Sequence, residues 1–186
     1  MISVRLPHVV VWFHTVFVAM VLNATAGELE MNYTNTTDYG WVFFSDQVMG
    51  GQSKGEAQVL SEAGNQFIRL KGIVTTANNG GFIQIRTSVA GLEKNLKGIS
   101  LKVRGNGQRY YVFIRTSGTM LPWQYYKADF LSKPEWIEVN LELKNFIPSS
   151  AWLRKTIRPD SIKSIGIVAF GRDHKALIDV ASLRFF

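Results

Sequence analysis

Apolar and polar residues alternate along most of the chain after residue 38. Ile99, Leu101 and Val103 are separated by single polar residues, which is typical of a strand with one face on a core and the other in solvent. Trp41 and Trp136 lie beside apolar residues, and we expect both in the core. The segment 109–116 also alternates, with Tyr110, Val112 and Ile114 on one face and Tyr111, Phe113 and Arg115 on the other.

Turn-forming residues divide this part of the chain into many short segments. Asn106-Gly107 suits a tight two-residue hairpin, so we expect the strands on either side of it to pair. No stretch carries a long helical stripe, and only 89–96 and 149–153 suggest one short helical turn each. This pattern predicts a single all-β domain, a sandwich or a barrel. The predicted strands are 41–44, 66–70, 80–86, 99–104, 109–116, 123–130, 136–141, 162–170 and 176–186.

The segment 45–53 is too polar and too rich in glycine to be the middle of a strand. Its paired glycines allow positive φ or the close approach of another group. Its Asp and Ser side chains can hydrogen-bond backbone N–H groups. Its Val and Met provide apolar side chains that can fill a cavity. Turn chemistry alone is enough to explain these residues, and it favours a rigid connection between two strands. The alternative is that the segment forms the preorganised edge, or lip, of a binding face. The residues concerned are Asp46, Val48, Met49, Gly50, Gly51 and Ser53.

This segment resembles the signature of the complex I intermediate-associated protein 30 family, in which Asp-x-Val-Met-Gly-Gly-x-Ser follows an aromatic-rich strand. Further matches occur in the family's order and extend the resemblance over about 39–186. Their order is a stronger argument than any one of them. The matching segments are Asn79-Gly80-Gly81-Phe82 with Arg86, Arg104-Gly105-Asn106-Gly107-Gln108-Arg109-Tyr110, Trp136 with Val139, Phe146 with Pro148, and Ile162-Lys163-Ser164-Ile165-Gly166.

The resemblance implies a galactose-binding-like jelly roll, in which two antiparallel sheets pack face to face as a β-sandwich. It also implies a non-catalytic, protein-binding role. The family's best-known members are chaperones for the assembly of respiratory complex I, so the expected partner is a subunit of a larger complex. The alternative is a secreted carbohydrate-binding module, which the fold type, the leader and the aromatic residues around Trp123 favour.

The first 26 residues have the character of a leader. Arg5 is their only formal charge, 9–22 is almost entirely apolar, and small residues lead up to Ala26. This pattern predicts a secretory signal peptide cleaved after Ala26 and a protein exported to the periplasm or the exterior. An uncleaved anchor is less favoured, because a spanning helix needs about 20 apolar residues. A flexible lead-in, 27–38, then precedes the domain, 39–186.

An exported protein would lie in a different compartment from the one in which the best-known family members act. The peripheral arm of complex I forms on the opposite side of a bacterial membrane from the periplasm. The role in complex I assembly is therefore the part of the resemblance that an exported protein would not share, whereas the fold and a binding role are unaffected.

The residue composition argues against catalysis and cofactors. The chain has no cysteine, which excludes disulfides and thiolate chemistry. A Ser-His-Asp triad would depend on His174, since the other two histidines lie in the leader. A calcium site made of oxygen ligands stays open, but no dense acidic loop favours one. We therefore predict no enzymatic activity, no cofactor and no metal site.

The net charge of +7 does not indicate a nucleic-acid-binding protein. The basic residues are scattered, whereas nucleic-acid-binding domains concentrate them on one face or in one run. The densest group is Arg154, Lys155 and Arg158. This group would suit an anionic membrane surface, although a solvated loop is the simpler interpretation.

The aromatic residues bear on the choice between the two kinds of ligand. Strand geometry places Tyr125 and Tyr126 on opposite faces, so at least one can belong to the core. A coplanar exposed strip that includes Trp123 with Tyr125 or Tyr126 would favour sugar binding. An exposed apolar patch around Val48-Met49 would favour a protein partner.

Three arginines stand beside glycine-rich turns. Arg86, Arg104 and Arg109 would form a polar binding face together with Asp46 and Asn79, or they would be ordinary surface charges or pair internally. The candidate binding residues are Asp46, Val48, Met49, Gly50, Gly51, Ser53, Asn79, Gly80, Gly81, Arg86, Arg104, Arg109, Trp123 and Tyr125.

Overall fold

Twelve β-strands make up most of the structure, a computed structural model that describes residues 28–29 and 40–186. The predicted signal peptide and most of the predicted lead-in lie outside the described residues. The strands are β1 (Glu28–Leu29), β2 (Trp41–Ser45), β3 (Lys54–Glu62), β4 (Asn65–Val74), β5 (Phe82–Ser88), β6 (Gly98–Gly105), β7 (Arg109–Thr116), β8 (Tyr126–Leu131), β9 (Ile137–Glu142), β10 (Ile147–Pro148), β11 (Ile162–Phe170) and β12 (His174–Phe185).

The strands form two six-stranded sheets. Sheet A has the order β3-β4-β12-β6-β9, with β1 also paired to β12, and sheet B has the order β10-β8-β7-β11-β5-β2. Every pairing between these strands is antiparallel. The prediction of an all-β sandwich is confirmed.

The hydrophobic core lies between the two sheets. Leu70, Val103 and Val180 reach it from sheet A, while Ile85 and Val112 reach it from sheet B, and all five are at most 1% exposed. Their removal from water is the main stabilising contribution to the fold, at roughly 25 cal/mol per Å² of buried apolar surface. Because strand side chains alternate, the residues between them point outwards. Each sheet therefore also has an outer face.

The Asn106-Gly107 turn does not form the expected hairpin. It carries the chain from β6 in sheet A to β7 in sheet B, so these consecutive strands do not pair. Asn106 Oδ1 accepts a hydrogen bond from Tyr110 Oη (2.8 Å), which itself accepts one from Leu177 N (2.8 Å). Burial raises the pKa of Tyr110 to about 12. The predicted hairpin is wrong because the residues of a turn indicate where the chain bends but not which strand β6 or β7 will pair with.

Other expectations from the sequence are also corrected. Strand β3 is not predicted by the sequence pattern, since most of its residues are exposed or half-buried at the edge of sheet A. The two expected helical turns, 89–96 and 149–153, are irregular segments and turns. Trp136 lies outside the core, where its ring meets Phe67 edge-on with centroids 5.6 Å apart. Phe67 is an outward-facing residue of sheet A, next to the inward-facing Ile68.

Candidate functional site

One buried carboxylate holds the signature segment together. Asp46 begins a short 3₁₀ turn directly after β2, and its side chain is fully buried. Its Oδ1 accepts a hydrogen bond from Ser53 N (2.9 Å). Its Oδ2 accepts from Ser53 Oγ (2.5 Å), Gly81 N (2.5 Å) and Phe82 N (3.2 Å). Asp46 therefore ties the end of β2 to the segments that enter β3 and β5.

Glycine is required around this carboxylate for two different reasons. A Cβ atom on Gly51 would lie 2.3 Å from Asp46 Cγ, and one on Gly80 would lie 2.4 Å from Asp46 Oδ2. Gly50 instead ends the 3₁₀ turn with φ of +88°, in the left-handed region that glycine adopts without strain. Gly50 is thus needed for its left-handed backbone conformation, and Gly51 is needed because a side chain there would collide with Asp46.

The carboxylate of Asp46 is charged and fully engaged. Burial raises its pKa, but hydrogen bonds from Gly81, Ser53 and Phe82 lower it by more, so the pKa lies below the ordinary value. With four donors directed at its two oxygen atoms, Asp46 acts as a structural anion. Asp46, Ser53 and Gly81, three of the predicted binding residues, therefore support the site from beneath.

The apolar part of the signature segment faces solvent. Val48 and Met49 are 73% and 62% exposed. Asn79, in the turn before β5, has φ of +57°, a left-handed conformation that asparagine tolerates. All three residues border a cleft on the outer face of sheet B. The segment is thus both a rigid strand connection and the lip of a cleft, with different residues serving each role.

The cleft has a volume of about 430 Å³ and an aromatic floor. Phe113 of β7 and Tyr125, just before β8, stack with centroids 4.0 Å apart and ring planes 9° apart. Phe170, at the end of β11, meets these two rings edge-on at 5.3 and 6.4 Å. Burial raises the pKa of Tyr125. Outward positions of an antiparallel sheet are usually polar, so this floor indicates a surface suited to a ligand.

Trp123 forms another part of the rim and is 62% exposed. Its loop is fixed by the buried Gln124, whose Oε1 accepts hydrogen bonds from Met120 N (2.9 Å) and Leu121 N (3.1 Å). Ser149 Oγ donates to the carbonyl oxygen of Trp123 (2.9 Å). A hydrogen-bonded loop therefore holds the indole in solvent at the edge of the cleft.

Two arginines line the cleft. The guanidinium of Arg86 lies 4.4 Å from the centroid of the Phe44 ring. Arg115 Nη2 donates to the carbonyl oxygens of Leu121 (3.0 Å) and Thr119 (3.4 Å). Among the described residues that line the cleft there is no Asp or Glu. Burial and, to a smaller extent, the charge of Arg115 lower the pKa of Arg86, although a guanidinium stays charged in proteins.

Gly166 has no side chain to project into the middle of the cleft. It lies between Arg86 and Phe113 in the register of β5, β11 and β7. A Cβ atom at this position would lie 2.9 Å from Gln84 Oε1. The missing side chain therefore makes room beside the Arg86 guanidinium and the Phe113 ring.

Arg104 is not brought to the cleft. It lies on the outer face of sheet A, where its Nε donates to Asp179 Oδ2 (2.8 Å) and its Nη2 pairs with Glu62 Oε2 (2.6 Å). Arg69 binds the same Asp179 through two hydrogen bonds of 2.7 and 2.8 Å. The Arg104 guanidinium also lies 4.6 Å from the Trp136 ring. Of the alternatives that the sequence leaves open for the three arginines, internal pairing is the one that Arg104 follows, so its role here is structural.

Two other basic positions also lie apart from the cleft lining. Arg109 is on the outer face of sheet B, but it is exposed and paired with Asp129. In the basic loop 154–158, Arg158 Nη2 pairs with Asp160 Oδ2 at 2.7 Å. Contact between this loop and an anionic membrane surface stays a prediction. No helix among the described residues is long and apolar enough to cross a membrane.

The structure therefore divides the predicted site residues into those at the cleft and those beneath or away from it. Several cleft residues are not among the predicted ones; of these, the alternation within 109–116 indicates only Phe113 and Arg115, which it places on one face. The predicted residues at the cleft are Val48, Met49, Asn79, Gly80, Arg86, Trp123 and Tyr125, and those not predicted include Phe44, Phe82, Gln84, Phe113, Arg115 and Phe170.

The cleft is chemically suited to binding. Its aromatic, amide and guanidinium groups can stack, donate hydrogen bonds and attract anions. In the part of the chain that the structure describes, no group of three or more His, Cys, Asp or Glu residues could hold a metal ion. His174 is half-buried, and its Nδ1 lies 2.8 Å from the carbonyl oxygen of Arg172, while its Nε2 has no hydrogen-bond partner among the described residues. Burial lowers the pKa of His174.

The fold and the cleft together define a β-sandwich binding module. A family model described as complex I intermediate-associated protein 30 matches residues 30–177. The match covers most of the chain, so the protein belongs to the complex I intermediate-associated protein 30 family, and the resemblance seen in the sequence is confirmed. No curated protein matches the sequence significantly.

Solved structures with a similar fold include carbohydrate-binding modules. The family 11 module of the Clostridium thermocellum cellulosomal cellulase Lic26A-Cel5E has a TM-score of 0.67 and 13% identity, and the match covers 88% of this chain and 96% of that one. The family 30 module of the cellulosomal cellulase Cel9D-Cel44B from the same organism has a TM-score of 0.57 and 10% identity, with coverage of 79% and 91%. At these identities the similarity shows the fold alone.

Proposed function

We propose that the protein is a non-catalytic assembly factor that holds a segment of a partner protein in the cleft of sheet B. The observation that carries this proposal is the position of the exposed Val48, Met49 and Trp123 at the edge of an aromatic cleft. Aromatic residues, Met and Arg are enriched in the cores of protein interfaces. A soluble chain that exposes such a patch has a surface suited to a partner.

Membership of the family supports the same kind of partner. The family is named for a protein associated with intermediates of complex I. By that likeness, the partner is a subunit of a larger complex that is not yet fully assembled. Such a subunit exposes surface that the finished complex will bury, and a chaperone can cover that surface in the meantime.

A carbohydrate is the second candidate ligand. The structural neighbours described as carbohydrate-binding modules support it, as do Asn79, Gln84 and Arg86, which can hydrogen-bond hydroxyl groups beside the rings. The packing of the floor favours protein instead, because Tyr125 stacks on Phe113 and so loses one free ring face.

We also propose that the protein acts outside the cytoplasm, after removal of the leader. The support is the sequence pattern of the first 26 residues. Sequencing the amino terminus of the protein purified from its own cells should give Gly27 as the first residue. An intact Met1 would contradict cleavage, and recovery of the protein in the cytoplasmic fraction would contradict the location.

An affinity capture experiment with matched baits tests the assembly-factor proposal. The baits are the wild-type protein, the double variant Met49→Ala/Trp123→Ala and the control Trp152→Ala, whose indole is 92% exposed away from the cleft. Captured proteins from the membrane and envelope fractions are identified by mass spectrometry. We expect subunits of one complex that are captured by the wild type and the control but lost with the double variant.

The same three proteins are applied to a soluble glycan array. Selective glycan binding that needs Trp123, without a protein partner, would replace the assembly-factor proposal by the carbohydrate one. Equal loss of captured proteins with the control Trp152→Ala would place binding outside the cleft and would contradict both proposals.

A further inference from the structure

The cleft of sheet B contains positive charge that its own residues do not balance. Arg86 and Arg115 both line it, and none of the described lining residues is acidic. Lys127, opposite Phe113 in the neighbouring strand, places its Nζ 5.8 Å from the centroid of the Phe170 ring. Three cations thus surround one aromatic floor.

Two acidic residues close in sequence or register to the cleft lining are already engaged. Asp46 lies beneath the lip, where it accepts hydrogen bonds from Ser53, Gly81 and Phe82. Asp129 lies on the same outer face and is paired with Arg109. Both carboxylates are engaged elsewhere, so among the described residues that line the cleft none supplies a counter-charge to Arg86 and Arg115.

The two arginines are held in positions that suit a carboxylate ligand. Arg115 uses its Nη2 for the carbonyl oxygens of Leu121 and Thr119, which fixes the direction of the remaining donors. Arg86 lies against the Phe44 ring, which fixes the plane of its guanidinium. A guanidinium is planar and matches a carboxylate with two parallel hydrogen bonds. Ordering of these donors before binding lowers the entropy that a ligand loses.

We propose that the occupant of the cleft is an acidic protein segment, whose carboxylates bind Arg86 and Arg115 while its apolar side chains pack on Phe113 and Phe170. This inference rests on the proposed function and adds the chemical class of the partner. Charge complementarity selects an acidic occupant over a neutral one, because a neutral segment would cover two guanidinium groups without pairing them. The net charge of +7, which falls to +6 once the leader with its single arginine is removed, acts in the same direction at long range.

The exposed apolar residues at the edge of the cleft favour an acidic protein segment over an acidic polysaccharide as its occupant. A polyuronate chain would pair with the arginines, but it has no apolar side chain for Val48 and Met49, which are both mostly exposed. A peptide with alternating acidic and apolar side chains provides partners for both parts of the cleft. The class of peptide is therefore one with Asp or Glu next to Leu, Ile, Met or an aromatic residue.

A phage-displayed library of random 12-residue peptides, selected on the purified protein, is the probe. We expect the enriched peptides to carry Asp or Glu beside apolar residues and to lose binding to the variant Trp123→Ala. One selected peptide is then synthesised with its acidic residues and again with Gln or Asn in their place. Both forms are titrated by fluorescence anisotropy against the wild type, Arg86→Gln, Arg115→Gln and the control Lys102→Gln.

The titrations give a quantitative expectation. A charge-assisted hydrogen bond is worth roughly 1.5–3 kcal/mol, so the acidic form should bind the wild type at least about tenfold more tightly than the amide form. Arg86→Gln and Arg115→Gln should each remove most of that preference. Lys102→Gln, which removes an exposed positive charge from sheet A, should leave it within about twofold, since a general charge effect is weak at physiological salt.

Different outcomes separate this inference from the proposed function. Enrichment of neutral peptides that need Trp123, or a preference for acid that survives both arginine variants, would overturn the acidic partner but keep protein binding in the cleft. Binding of polygalacturonate with no enriched peptide would overturn both in favour of a glycan. Peptides that bind equally well to Trp123→Ala would show that the cleft is not the docking surface.

Discussion

The outer faces of the two sheets use the same residue type in opposite ways. On sheet A, Arg69 and Arg104 share the carboxylate of Asp179, which is 3% exposed. On sheet B, Arg86 and Arg115 lie beside aromatic rings, and no acidic residue lines their cleft among the described residues. An outward-facing arginine in a strand is therefore structural where the fold supplies its counter-ion, and it is available for a ligand where the fold does not.

Removal of the counter-ion on sheet A should have the largest effect. Asp179→Ala removes the carboxylate that Arg69 and Arg104 share and leaves Arg104 with only the exposed Glu62, which should cost about 3 kcal/mol of the free energy of unfolding. Urea denaturation measures this loss. The matched control is Glu135→Ala, whose exposed pair with Lys133 is 4.0 Å long and should be worth at most about 1 kcal/mol. Equal losses in the two variants would mean that the Asp179 network is not structural.

Asp46 provides a second buried carboxylate, this time beneath the lip of the sheet B cleft. Asp46→Asn keeps its shape but loses the charge that accepts four hydrogen bonds, so we expect a loss of about 2 kcal/mol at neutral pH. Because the folded pKa of Asp46 is lowered, its contribution is complete above the unfolded value of about 3.9 and is lost as the pH falls through the folded pKa.

Unfolding of the wild type and of Asp46→Asn should therefore be compared at several pH values. The difference in free energy should be constant from about pH 5 to 7 and should shrink below about pH 4. A difference that is independent of pH down to about pH 2 would contradict a role for the charge of Asp46.

The backbone of the lip should give a smaller effect. Gly50 has φ of +88°, and no atom of the other described residues, its chain neighbours aside, lies within 4 Å of the position that a Cβ atom would take there, so substitution tests conformation without a clash. Gly50→Val should destabilise the fold by about 1–2 kcal/mol. Gly50→Asn is the control, since Asn tolerates left-handed φ, and its melting temperature should lie between those of the wild type and Gly50→Val. Identical melting of all three proteins would contradict a conformational requirement at this position.

Removal of charge from the sheet B cleft should have the smallest effect on stability. Arg86→Gln loses no ion pair to a described residue and only the contact with Phe44, so the free energy of unfolding should change by at most about 1 kcal/mol, in contrast to Asp179→Ala. Thermal unfolding followed by circular dichroism measures the change. A loss as large as that of Asp179→Ala would reveal a structural role for Arg86 and remove the difference between the two faces.

The sequence predicts strands well where the alternation of residues is strong. Strands β7 and β11 have the bounds predicted for them, and Tyr126 is in the core while Tyr125 is on the outer face. Strand β3 is missed because an edge strand buries few of its residues. The false hairpin between β6 and β7 reflects pairing at long range, since the partners of β6 are β12 and β9.

The candidate site is predicted in part for a related reason. Sequence motifs identify the lip, because a turn with the glycines and the carboxylate of 46–53 has few alternatives. They do not separate Arg86 from Arg104, since both follow or precede glycine-rich turns in outward-facing positions. The difference arises from Asp179, which lies 75 residues from Arg104 in the chain. Only the pairing of β12 with β6 brings that carboxylate to its arginine.

Hydrogen–deuterium exchange of the protein alone and with its captured partner tests the central claim most directly. The account predicts slower exchange in the lip, 46–53, and in the segment 117–125 that carries Trp123, while the exposed edge strand β3 of sheet A keeps its rate. Slower exchange confined to sheet A or to the basic loop 154–158 would contradict the assignment of the sheet B cleft as the binding face.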